Sequence, residues 1–204
     1  MQVISIHPER LNPRELKPAL EALQAGELVV YPTDTAYGVG CLCRKKGPLE
    51  KLYRLRGLSW KHPFSLLCDD VASISELAVL SNRAFKCIKR HAPGPFTFVL
   101  PAIKRIERQL NLPRKRQTIG FRLSASRVVQ ELLSALGEPL ANMTLHHPET
   151  EALLTDPLEI QEHYGQQIAV MIDIGASDEL SSTVVDLTGD EPSVIRQGAG
   201  QFEP

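Results

Sequence analysis

The sequence predicts an α/β protein: a single-domain, twisted, open mixed sheet with flanking helices. Three observations predict it. The chain has 204 residues, 43% of them apolar and 23% charged, which suits one ordinary globular domain. Short apolar runs of strand length alternate along the chain with segments whose apolar residues recur every three or four positions. Glycine and proline punctuate the two kinds of segment, as Gly26 and Gly137 do after helical patterns and Pro32 does after a strand. Aromatic residues make up only 5%, so Leu, Val, Ile and Ala must build the core.

The elements follow in order. Residues 3–7 alternate and read as a strand. Residues 13–25 place Leu16, Ala19, Leu20 and Leu23 on one helical face, and Gly26 stops the helix. Residues 28–31 form an apolar strand closed by Pro32, and 37–42 form a glycine-containing strand or bend. A helix is expected over 48–56, a strand over 64–68, and a capping box at 73–76 starting another helix. Ser81 caps a helix running to His91. Strands follow at 96–100 and 118–123, then a helix over 126–136 with its apolar stripe ending at Gly137. A strand over 139–145 is followed by Asp156-Pro157-Leu-Glu159, a helix start, and then by strands at 168–174, 183–187 and 193–196.

The formal charge of −1 conceals a lopsided distribution. Residues 83–127 hold 12 Lys and Arg against the single acid Glu107, whereas residues 128–204 hold 14 acids against the single basic residue Arg196. A basic middle segment predicts a polyanionic partner, and solvated helix faces are the plainer alternative. No apolar run approaches the roughly 18 residues needed to cross a bilayer, so no membrane partner is expected. The first residues lack a charged-then-apolar leader, which predicts a cytoplasmic protein. Cys41, Cys43, Cys68 and Cys87 form no CxxC pair and match no zinc spacing, so buried thiols and no metal site are expected.

The familiar signatures of phosphate loops, dinucleotide fingerprints, nucleophile elbows and zinc proteases are missing. A nucleotide would have to be held by scattered Arg, Lys and backbone N–H groups. Tyr31-Pro32-Thr33-Asp34-Thr35 leaves a buried strand at the end where open α/β sheets bind ligands. The same segment also reads as a turn whose Thr and Asp side chains bond their own backbone. Thr118, Gly120 and Arg122 share one face of a strand, with Ile119 and Phe121 opposite. An arginine there needs an anionic partner, either an acid such as Asp34 or a ligand carboxylate or phosphate.

Together these segments resemble the YrdC/YciO family, which includes the threonylcarbamoyl-adenylate synthases. The residues that carry the resemblance are Leu28-Val-Val-Tyr-Pro-Thr-Asp-Thr35, Tyr37-Gly-Val-Gly40, Pro93-Gly-Pro-Phe-Thr-Phe98, Thr118-Ile-Gly-Phe-Arg122, Gly137-Glu-Pro-Leu140, Ser182-Thr-Val-Val-Asp186 and Val194-Ile-Arg196. They occur in family order from about residue 15 to 200. Arg54-Leu-Arg56-Gly-Leu and the chain length are similar to the YciO branch, which lacks the extra C-terminal domain of some synthases.

The resemblance implies a YrdC-like domain over 1–204 with a concave, basic cavity. It implies an enzyme that joins ATP, bicarbonate and L-threonine into threonylcarbamoyl-adenylate, with Mg²⁺ on the ATP and no tightly bound cofactor. That product serves tRNA modification, so tRNA or double-stranded RNA is an expected partner. A non-catalytic or hydrolytic family member that binds RNA is the alternative. The oligomeric state is left open. Carried over by position, Thr33 matches a threonine-contacting position, Thr35 is a further ligand contact, Arg122 grips a carboxylate, Thr118 lines the nucleotide side, and Ser182 and Arg196 are late ligand contacts. RNA contact is expected at Lys86, Lys89, Arg90, Arg114, Lys115 and Arg116.

Two motifs depart from the synthases. Their Lys-x-Arg pair falls on Arg56 and Leu58 without a gap, or on Arg54 and Arg56 with a two-residue gap, and Lys61 beside His62 offers a substitute cation. Their Ser-x-Asn falls on Thr144 and His146, two and four residues beyond Asn142, itself an expected ligand contact. Histidine there replaces a neutral amide with a group that can charge near neutral pH.

Overall fold

The computed structural model describes residues 1–7, 10–44, 47–110 and 117–203. Among them, ten strands form one sheet: β1 (Gln2–Ser5), β2 (Val29–Tyr31), β3 (Gly38–Leu42), β4 (Ser65–Leu67), β5 (Phe96–Pro101), β6 (Thr118–Arg122), β7 (Leu140–Thr144), β8 (Val170–Asp173), β9 (Thr183–Asp186) and β10 (Ser193–Arg196). Their order across the sheet is β1-β8-β2-β3-β7-β4-β6-β5-β9-β10. Parallel pairs (β1/β8, β2/β8, β4/β6, β5/β9) mix with antiparallel ones, so the sheet is mixed as the sequence predicts. The helices are α1 (Lys17–Ala25), α2 (Pro48–Leu55), α3 (Val71–Ser75), α4 (Asn82–His91), α5 (Ile106–Gln109), α6 (Arg127–Leu136) and α7 (Pro157–Tyr164). None of the described helices is long and apolar enough to cross a membrane.

Local chemistry sets the helix ends. The Asn12 side chain accepts from the backbone N–H of Arg14, and Glu15 accepts from that of Asn12, which starts a 3-10 turn (Pro13–Leu16) leading into α1. Gly26 and Gly137 end α1 and α6 in left-handed conformations, with φ of 85° and 65°. Ser81 and Asp156 cap α4 and α7 through their side-chain oxygens. The capping box expected at 73–76 is overturned. Asp70 caps α3 by accepting from the Ser73 N–H at 2.7 Å, and the helix is ending where the sequence predicted its start. The Ser73 hydroxyl donates to Asp69 and Asp70 instead.

Strand alternation divides the core. On one face Val29, Tyr31, Leu42, Leu67, Leu140, Val170 and Ile172 pack under α1 and α6, against Leu23, Val129, Leu132 and Leu133. On the other, Val30, Val39, Leu66, Phe98, Phe121 and Ala141 pack against Leu52 of α2, Ile88 of α4 and Ile160 of α7. Each such buried side chain stabilises the fold by about 1.5–3 kcal/mol relative to exposure. All four cysteines lie in this second core, and burial pushes their thiols up, that of Cys43 to about 12.

Helices α1 and α6 cover only one end of their face. Leu140 of β7 lies under them, whereas Asn142 and Thr144, two and four residues on, reach past their edge. On β4 the same change occurs between Leu67 and Ser65, which pair with Leu140 and Asn142 respectively. Hydrophobic burial therefore holds one half of the face, and the other half opens as a cavity.

Candidate functional site

The cavity has a volume of about 620 Å³. Registered strand positions make its floor. Asn142 pairs with Ser65, Ser65 with Gly120, and Gly120 with Val99, so β7, β4, β6 and β5 each contribute one residue to a single row. A Cβ on Gly120 would stand 3.1 Å from the Thr97 methyl, so glycine keeps the floor low here. Thr97, Ser182, Val184 and Arg196 continue the wall through β5, β9 and β10. The chain after α2 supplies Arg56, Leu58, Lys61 and His62.

The glycines of β3 have a different use. Gly40 pairs with Asn142 and Gly38 with Thr144. A Cβ on Gly40 would overlap the Tyr31 hydroxyl, and one on Gly38 would overlap Asn142 Oδ1. The space is filled by the Tyr31 ring, whose hydroxyl donates to Asn142 Oδ1 at 3.1 Å. The Asn142 amide then reaches Ser65 Oγ at 3.3 Å. A buried phenol thus fixes the orientation of the amide on the cavity floor.

The charge of the wall is one-sided. Arg56, Lys61, Arg122 and Arg196 line it, and among the described residues no Asp or Glu does. Arg122 donates from Nη2 to Asp34 Oδ1 at 2.8 Å and to Thr35 Oγ1 at 3.2 Å. Asp34 is held in turn by the Ser124 hydroxyl at 2.7 Å and the Ala125 N–H at 3.2 Å. The Nε atoms of both Arg122 and Arg56 are buried with no partner among the described residues. Each guanidinium therefore has a donor to spare, which a buried group is seldom left with. Arg196 donates to the Ser182 carbonyl at 2.9 Å. Among the described residues Arg196 forms no ion pair with the nearby acids Asp186 and Glu191. Burial, and then the charge of Arg122, lower the affinity of Arg196 for its proton.

At the other end Arg56 Nη2 lies 2.8 Å from His146 Nδ1 and 3.6 Å from Glu151 Oε2. Burial and then Arg56 hold His146 below the ordinary histidine value. Glu151 has a left-handed backbone, φ 58°, and stands beside the cavity rather than in its wall.

Of the residues singled out in the sequence, Arg56, Lys61, His62, Thr118, Arg122, Asn142, Thr144, His146, Ser182 and Arg196 line this one cavity. Arg54 does not. It lies on α2 two residues before Arg56, more than half a helical turn away, and faces solvent. Arg56 and Leu58 both line the wall, so the gap-free correspondence of the Lys-x-Arg pair fits the geometry. Thr33 and Thr35 also stand outside the wall. The Thr33 hydroxyl donates to the Ala36 carbonyl at 2.7 Å, accepts from the Thr35 N–H and lies 2.9 Å from the Thr35 hydroxyl, so it is spent on its own turn. Thr35 braces Arg122 from behind. Lys86, Lys89 and Arg90 lie on the exposed face of α4, away from the cavity. Arg114, Lys115 and Arg116 lie outside the described residues.

Sequence reasoning missed Ser65, Thr97 and Glu151. Ser65 and Thr97 are each flanked by buried apolar residues (Phe64 and Leu66, Phe96 and Phe98), so strand alternation alone points them into the cavity. Glu151 has no such signal, because only the fold brings it to Arg56.

The family model described as "Telomere recombination", for Sua5, YciO and YrdC proteins, matches residues 21–198. The chain belongs to the Sua5/YciO/YrdC family. Among the family's members it is 37% identical to Escherichia coli "Uncharacterized protein YciO" over 203 residues, covering 100% of this chain and 98% of the relative. The crystal structure of E. coli YciO superposes with a TM-score of 0.89, over 98% of this chain and 97% of that one. A Vibrio vulnificus protein named threonylcarbamoyl-AMP synthase is 28% identical over 161 residues, 77% of this chain and 84% of its own length. P. abyssi Sua5 in complex with L-threonine superposes with a TM-score of 0.86 over 97% of this chain and 58% of that one, and at 24% identity it shows the family fold.

Proposed function

We propose that this protein binds a nucleotide and a small carboxylate-bearing substrate in the one cavity, and joins ATP, bicarbonate and L-threonine into threonylcarbamoyl-adenylate with release of pyrophosphate. The observation that carries the reading is that, among the described residues, four cations and no carboxylate line the wall, and two of the cations are guanidiniums with a buried, unpartnered Nε. Asp34 and Glu151 offset part of this charge from behind the wall, and the cations left over favour anions in the cavity. Membership of a family that includes a named threonylcarbamoyl-AMP synthase supports the choice of anions.

The chemistry asks little of the protein beyond placement. The nucleophiles are the amine of threonine and the carboxylate oxygen of the carbamate it forms. No protein nucleophile is needed, and the site must gather the anions, orient them and stabilise the charge that develops on the phosphate. Arg122, held from behind by Asp34 and Thr35, presents a fixed guanidinium for a carboxylate. Arg56, Lys61 and Arg196 would neutralise phosphate charge. Mg²⁺ would be held by the nucleotide's phosphates and would neutralise phosphate charge alongside Arg56, Lys61 and Arg196.

The test is pyrophosphate release from MgATP with threonine and bicarbonate, run beside a competent synthase. Release that depends on both co-substrates is expected. Release no greater than in the control lacking threonine overturns the reading.

A second reading concerns RNA, favoured by the basic outer face of α4. Lys86, Lys89 and Arg90 are exposed there, while Ala84, Cys87 and Ile88 face the core. Affinity for tRNA or duplex RNA should fall steeply with salt, and Lys86→Glu with Lys89→Glu should shrink that slope by about two phosphate contacts. Salt-insensitive binding, or none, overturns it.

A further inference from the structure

We propose that His146 takes up a proton when a phosphate-bearing ligand engages Arg56, so that this residue couples phosphate recognition to protonation and biases the site toward dianions. The inference rests on the nucleotide reading above and adds a specificity-determining residue to it.

One atom carries the argument. His146 Nδ1 lies between two neighbours that ask opposite things of it. Arg56 Nη2, 2.8 Å away, can only donate and requires a lone pair on Nδ1. The Thr144 carbonyl, 3.1 Å away, can only accept and requires a proton there. A single ring nitrogen cannot meet both demands. With Arg56 turned toward it, the shorter contact and the permanent charge of the guanidinium keep the ring neutral, with its proton on Nε2. The Thr144 carbonyl is already in place as the partner for a second proton.

The charges around the ring decide when that second proton arrives. Arg56 approaches from the end of α2, Arg196 from β10, and Glu151 from the segment after β7. Tyr164 of α7 donates its hydroxyl to the His146 carbonyl at 2.7 Å. Lys61 and His62 line the same cavity. Cations outnumber the one carboxylate, and Glu151 is itself largely exposed, so a charged imidazole is disfavoured. A phosphate dianion reverses the balance. Arg56 holds a buried Nε without a partner and would give its donors to the phosphate. Nδ1, released, binds a proton from solvent and donates it to Thr144, while Nε2–H is left for a phosphate oxygen. No covalent bond is made or broken, and one proton moves from solvent to Nδ1. An asparagine at this position could offer an N–H but could not change charge.

The test is calorimetric titration of the full chain with MgATP in two buffers of different ionisation heat, at about pH 7.5, beside His146→Asn. The wild type should take up more protons than the variant, by up to about one per ATP. Its affinity should fall by up to about tenfold per pH unit relative to the variant as pH rises through neutrality. Equal proton uptake with ATP bound to both proteins overturns the inference and leaves the nucleotide reading standing. No binding of ATP to the wild type overturns both. Should His146→Asn not fold, ring resonances of labelled histidine in the wild type supply the same answer. A change of His146 to the imidazolium pattern on adding ATP supports the proposal, and an unchanged neutral pattern overturns it.

Discussion

Arg122 and Asp34, 88 residues apart in sequence, meet at 2.8 Å on the line where the helix-covered half of the sheet gives way to the cavity. Their side chains are 3% and 10% exposed, so the pair is shielded from solvent. It joins the turn after β2 to the end of β6 and leaves Arg122 Nε without a partner among the described residues.

Removing one partner strands a buried charge. Asp34→Ala should therefore destabilise the protein by about 3–5 kcal/mol. The loss should appear in the urea midpoint with the m-value unchanged. A loss under about 1 kcal/mol would mean that water already screens the pair.

The Tyr31 ring occupies room that Gly40 leaves. Gly40→Ala sets a methyl against the Tyr31 hydroxyl and within 2.8 Å of the Ala141 carbonyl, which belongs to the backbone and cannot step aside. A cost of about 1–3 kcal/mol is expected, with only part recovered in Gly40→Ala combined with Tyr31→Phe. Thermal unfolding of the three variants checks it.

Glu151 reaches Arg56 at 3.6 Å from a largely exposed position, which makes it a weak competitor for the guanidinium. Glu151→Gln should leave stability nearly unchanged and tighten ATP binding by up to about fivefold, the equivalent of a pair worth at most about 1 kcal/mol. Titration calorimetry reads the change, and weaker binding in the variant would contradict it.

Alkaline pH should weaken the fold. Burial raises the Tyr37 phenol to about 12 and the Cys43 thiol to about 12, from ordinary values of 10.0 and 9.0. Both groups stay protonated in the folded chain while the unfolded chain ionises. The stability they contribute is complete below about pH 9 and is lost as pH rises toward about 12, with a slope of up to about 1.4 kcal/mol per pH unit for each group. Urea midpoints measured under reducing conditions should hold level up to about pH 9 and fall from there to about pH 10.5.

Much of this was legible in the sequence because strands alternate. Thr118, Gly120 and Arg122 share a face by spacing alone, and the structure places all three in the cavity wall. The same spacing would have found Ser65 and Thr97. The mixed sheet was legible from the alternation of short apolar runs with amphipathic segments. Thr33 is ambiguous in the sequence because a hydroxyl at a strand end can serve a ligand or its own turn, and in the structure it bonds its own turn. Residue type does not separate Arg54 from Arg56, and only the turn of α2 sets Arg54 toward solvent. The Nδ1 conflict at His146 and the approach of Glu151 depend on distances set by the fold, which no local pattern encodes.

The half-covered sheet face has a wider consequence. Leu67 and Ser65, or Leu140 and Asn142, are separated by a single intervening residue, yet one of each couple secures the scaffold and the other meets the guest. Mutation can rewrite the guest-facing member while its neighbour keeps the protein folded. One architecture can thereby host a succession of ligand preferences.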